Sequence, residues 1–108
     1  MENNYKAKVG DCVTFRGKTM MIYGYVARIN KDYVDYIRDS LTRWSVDTSM
    51  VERGETISKD NFISRVKLNA ENSSYPIPSS EQVEMVLEKF KDNFDCEQSE
   101  ILAILNID

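Results

Sequence analysis

The sequence contains no histidine. That absence excludes Ser-His-Asp triads, Cys-His dyads, HExxH zinc sites and histidine pH switches together. Cysteine is nearly as scarce: the chain has only Cys12 and Cys96. A disulfide-dense secreted scaffold is therefore excluded, and a four-cysteine zinc site would need a second subunit. No apolar run approaches the roughly 18 residues of a membrane span. There is no internal repeat and no low-complexity tract. The two prolines, Pro76 and Pro78, sit together in one polar stretch.

What remains describes a single soluble domain. The 108 residues are 42% hydrophobic and 30% charged, enough apolar material for a modest core. Met1–Lys6 lacks the apolar centre of a secretory signal, so the expectation is a reduced, cytoplasmic protein. Cys12 and Cys96 then act as small hydrophobes, and the sequon Asn72-Ser73-Ser74 goes unused. Charge is uneven along the chain. Residues 1–70 hold 12 basic and 9 acidic side chains, whereas residues 71–108 hold 2 and 9, giving the formal net charge of −4. A mildly basic part precedes an acidic one, which points to separate surfaces or to a tail folded on the basic part.

Periodicity divides the chain in the same place. Val13 and Phe15 alternate with Cys12 and Thr14, and Met20–Ile29 is a second strand, with Gly24 marking a bulge or bend. Tyr33-Val34-Asp35-Tyr36-Ile37 and Trp44-Ser45-Val46 follow, then closing strand segments at Met50-Val51 and Ile57–Val66. Residues 32–43 also fit helical spacing, but β-branched and aromatic residues favour strand. Residues 69–78 form a connecting loop. Beyond it, Ser79 and Gln82 make a capping box for a helix carrying Val83, Val86, Leu87, Phe90 and Phe94 on one stripe. Ser99 is placed to cap a second, shorter helix.

The run Val9-Gly10-Asp11-x-Val13-x-Phe15, then Gly24-Tyr25-Val26-x-x-Ile29 and Tyr33-Val34-Asp35-Tyr36, resembles small SH3-like barrels of the KOW and Tudor type over residues 7–66. The resemblance implies a strongly bent five-stranded antiparallel β-barrel used to bind protein or nucleic acid, not an enzyme. The expected architecture is thus α+β: a barrel over 1–68, the loop 69–78, and an acidic helical extension over 79–108. The extension packs on the barrel or on a partner, including a second copy.

Candidate chemistry is thin. Gly17-Lys18-Thr19 looks like the end of a P-loop, but the first glycine of that motif is replaced by Cys12, and Gly17 reads as a turn residue suited to positive φ. Asp32, Asp35 and Asp39 lack the spacing of a calcium loop, and Asp35 is expected to point away from the core. No metal or cofactor is expected, and no catalytic residue.

Two binding functions compete. The first is a non-enzymatic adaptor or inhibitor with a protein partner, engaging it through Glu84, Glu88 and Asp92 and the aromatics Tyr25, Tyr36 and Trp44. Nine Ile, eight Asn, eight Lys and four Ala suit an AT-rich bacterial or phage genome. That composition fits a phage-type protein that occludes a host or defence enzyme, its acidic surface imitating nucleic acid. The second is a KOW-like nucleic-acid-binding module with an acidic regulatory tail, using Arg16, Lys18, Arg28, Lys31 and Arg43.

Overall fold

The computed structural model describes residues 6–106, so most of the Met1–Lys6 segment and the last two residues of the acidic extension lie outside the described residues. Four strands open the fold: β1 (Cys12–Arg16), β2 (Met21–Ile29), β3 (Tyr33–Arg38) and β4 (Arg43–Asp47). A short helix, α1 (Thr48–Glu52), leads to β5 (Glu55–Ile57) and then to α2 (Lys59–Asn72), α3 (Ser80–Asp92) and α4 (Gln98–Leu105). All strand pairs are antiparallel, in the order β4-β3-β2-β1-β5. Among the described residues β4 does not pair with β5, so the fold is an open five-stranded sheet with helices rather than a closed barrel.

The pleat sends alternate residues to opposite faces, and here both faces are buried. Cys12, Tyr25, Ala27 and Ile37 join Phe62, Val66, Val86, Leu87 and Phe90 in a large core between the sheet and α2–α4. Val13, Phe15, Val26, Val34 and Tyr36 join Val51 of α1 in a smaller core on the other face. Phe15 meets Tyr36 edge-to-face there, with ring centroids 5.6 Å apart. Residues 33–38 are strand, as their β-branched and aromatic content favours.

Several expectations are corrected. Ile57–Val66 does not continue as a strand: after β5, Ser58 accepts the Asn61 N–H and starts a helix. Phe62, Ile63, Val66 and Ala70 supply its buried side, at helical spacing. Met50 and Val51 likewise belong to α1. The expected boundary at residue 68 therefore falls inside α2, and the connection to α3 is shorter than 69–78. Gly24 is not the bulge, which lies between Val26 and Arg28. Instead, a Cβ at Gly24 would come within 2.7 Å of the Tyr36 ring, so the missing side chain is what lets that ring pack. Positive φ occurs at Gly10 (95°), not at Gly17. The Ser79–Gln82 capping box is present in full, while α4 is capped by Glu97 with Glu100 rather than by Ser99.

Candidate functional site

The buried stripe of α3 fixes what its other side presents. With Val83, Val86, Leu87 and Phe90 turned to the sheet, Glu81, Glu84, Glu88 and Asp92 stand in an exposed row on a shallow groove. Met85 lies among them, 57% exposed, and Ile104 of α4 forms part of the far wall. The row is only lightly compensated. Lys59 Nζ is 4.0 Å from Glu84, and Lys89 turns to Glu100 at 2.8 Å. That second contact lowers the Glu100 pKa and raises that of Lys89. A helix face with an anionic row around an apolar methionine suits a basic surface with an apolar recess.

The aromatics named from sequence separate. Tyr25 and Tyr36 are each 1% exposed, so their rings serve the two cores and are out of a partner's reach. Burial, with Glu88 and Asp92 nearby, pushes the Tyr25 hydroxyl up to about 12. Trp44 is different: it is 44% exposed on β4, its Nε1 donates to Thr42 Oγ1, and the Arg38 guanidinium lies 3.6 Å from the ring centroid.

The basic residues do not gather into one face. Arg16 and Lys18 sit at the β1–β2 turn and Lys31 at the β2–β3 turn. These are opposite ends of a nine-residue strand, roughly 25 Å apart at the usual rise per residue. Arg28 and Arg43 are exposed but committed to contacts within the chain. Arg28 Nε donates to Asp35 at 2.7 Å, its Nη1 reaches Asp95 at 3.4 Å, and its guanidinium lies 4.9 Å from the Phe94 ring centroid. Arg43 Nη1 donates to the carbonyls of Phe94 and Cys96, at 3.2 and 2.7 Å. Two arginines of the sheet thus clasp the α3–α4 connection.

Asp35 holds the Arg28 arm of that clasp, and its placement reverses the expectation. It points inward, 2% exposed, and accepts from Arg28, Asn30 Nδ2 and Ser45 Oγ. Burial alone would raise its pKa, but the three hydrogen bonds outweigh it and hold the carboxyl below its ordinary value. A lone aspartate in an alternating strand gives no sequence signal for this, because its donors come from three different positions in the chain.

Sequence reasoning also missed a recess of about 530 Å³. The β3–β4 turn (Asp39, Leu41), α2 (Val66), the segment Tyr75–Pro78 and α4 (Ile101, Leu105) enclose it. Burial raises the pKa of Asp39 on its wall. Cys12 and Cys96 are buried and unbonded, and burial lifts the Cys12 thiol to about 11, far from a reactive thiolate. Among the described residues no three metal-binding side chains converge, and no helix is long and apolar enough to cross a membrane. Comparison with protein-family models, with curated proteins and with solved structures finds no match for this chain.

Proposed function

We propose that this protein is a non-enzymatic binding module that presents the acidic side of α3 to a basic surface on a partner protein, as an adaptor or an inhibitor. The observation that carries this reading is the row Glu81, Glu84, Glu88 and Asp92, exposed around Met85 on a helix held rigidly by its buried stripe. Such a row imitates the spaced negative charge of a nucleic-acid strand, and a groove built for phosphates is its natural counterpart. This is the mode expected of a phage-type protein that occludes a host or defence enzyme in the cytoplasm, where its two thiols stay reduced.

The same reading treats the sheet as an SH3-like scaffold. Support comes from the order β4-β3-β2-β1-β5, the helical turn between β4 and β5, and the irregularity in β2 near Ala27. The rival, a KOW-like nucleic-acid module, has less behind it. Its cations are divided between two ends of β2, and two of them hold the α3–α4 connection.

The test is capture from a bacterial lysate with the full chain and with a triple charge reversal, Glu84→Lys, Glu88→Lys and Asp92→Lys. These side chains are exposed, so the variant keeps its fold, and a salt-sensitive partner band is expected to disappear with it. Partner capture unchanged by the reversal rejects the acidic docking surface. Fluorescence anisotropy of labelled DNA and RNA with the full chain tests the rival: tight binding that fades steeply with salt would favour it.

A further inference from the structure

The two edges of the sheet differ in kind. β5 has three residues, whereas β4 has five and is exposed along its length except at Val46. The phase of the β3–β4 ladder is set at its two ends, where Arg38 N–H donates to the Thr42 carbonyl (3.0 Å) and Thr48 N–H to the Asp32 carbonyl (3.1 Å). Antiparallel pairs alternate between bonded and non-bonded, so Trp44 and Val46 turn their backbone groups toward Tyr36 and Val34 of β3. Arg43 and Ser45 therefore turn N–H and C=O to the open side. Asp47 turns its N–H there too, while its carbonyl enters α1 at the N-cap position.

That open edge is complementary to itself. In an antiparallel pairing centred on Ser45, each Ser45 meets Ser45 of the second copy through both backbone groups. Each Asp47 N–H reaches the Arg43 carbonyl of the copy. The same register sets the side chain of Arg43, which keeps its Nη1 bonds to the Phe94 and Cys96 carbonyls, beside Asp47 and that of Trp44 beside Val46, an opposite-charge pair and an aromatic–β-branched pair. A shift by one residue would lose the backbone bonds, and a shift by two would keep backbone bonds but lose both side-chain pairs, so the side chains select the register.

We propose that β4 is a homodimerisation edge, at which a second copy of this chain adds its own β4 about a twofold axis through Ser45. Paired residues of an antiparallel ladder share a face, so the helical layers of both copies lie on the same side of one continuous sheet. The acidic rows of α3 then face the same way. The proposal does not depend on what those rows bind. It accounts for Trp44, a large side chain left 44% exposed on an edge strand that carries no bulge or proline to block pairing.

The experiment is sedimentation velocity of the full chain over a concentration series, with Trp44 emission read in parallel. Trp44 is the only tryptophan, so its emission reports this edge alone. Two variants accompany it. Asp47 has φ −58° and ψ 136°, a conformation proline adopts, so Asp47→Pro deletes one outward N–H and leaves the β3 pairing intact. Asp47→Lys places like charges opposite each other. The expected result is a dimer that forms with concentration, a blue shift of Trp44 as it forms, and a dissociation constant raised by about tenfold or more in both variants at unchanged circular dichroism. A chain that stays monomeric at every concentration overturns the proposal and leaves the edge to an extended segment of another protein. A dimer that survives both variants, or forms without a change at Trp44, overturns it as well.

Discussion

The two faces of this sheet are closed by opposite strategies. The smaller core lies under α1, a five-residue helix wedged between β4 and β5, so its lid is local in sequence and arrives with the strands. The larger core is closed by α2, α3 and α4, all of which follow the last strand, and the α3–α4 connection is tied back by Arg28 and Arg43. A local lid needs only good packing. A distant one must also be told where to sit, and hydrogen bonds and charge supply that instruction. The contrast explains why the one buried carboxylate of the described residues, Asp35, is on the helix side.

The contrast can be broken from either side. Phe62 is fully buried in the larger core, and Phe62→Ala should cost about 4 kcal/mol in urea or thermal unfolding, the largest effect expected here. Asp35→Ala removes the acceptor of three side chains and should cost about 3 kcal/mol. Its pH dependence gives a second readout. Because the folded carboxyl has a lowered pKa, its stabilisation is complete above the unfolded value, about 3.9, and fades as pH falls through the folded one. The native protein should lose this part of its stability in that acid range, and the variant should not, as unfolding midpoints against pH would show. Gly54→Ala attacks the local lid. A Cβ there would collide with the Thr14 carbonyl oxygen and lie 2.8 Å from Phe15 Cβ, so a loss of about 2 kcal/mol is expected. Should Gly54→Ala prove more costly than Phe62→Ala, the ranking of the two cores would be reversed.

Much of this fold is legible from local pattern. Four strands are legible between polar turns, the first by alternation and the others by β-branched and aromatic content, and α3 by the Ser79–Gln82 box and a stripe from Val83 to Phe90. The segment after β5 is not legible in the same way. Ile57, Phe62, Ile63 and Val66 have the β-branched and aromatic content of a strand, yet Ser58 caps a helix and tertiary burial decides the matter. The candidate site divides similarly. Glu84, Glu88 and Asp92 follow from helical spacing alone, since an apolar stripe on one side leaves them on the other. Tyr25 and Tyr36 do not, because either face of a strand reads as exposed until the element that covers it is known.

The sequence by itself determined which residues alternate, where the chain turns and which helix carries the acidic row. Those are properties of neighbours a few positions apart. Only the tertiary structure decided that both faces of the sheet are covered, that Asp35 is buried and paired, that Arg28 and Arg43 hold the helical layer, and that β4 is left with an open edge. Each of these depends on groups brought together across the fold, such as Arg43 and Cys96, and backbone pairing and burial, not local periodicity, choose such partners.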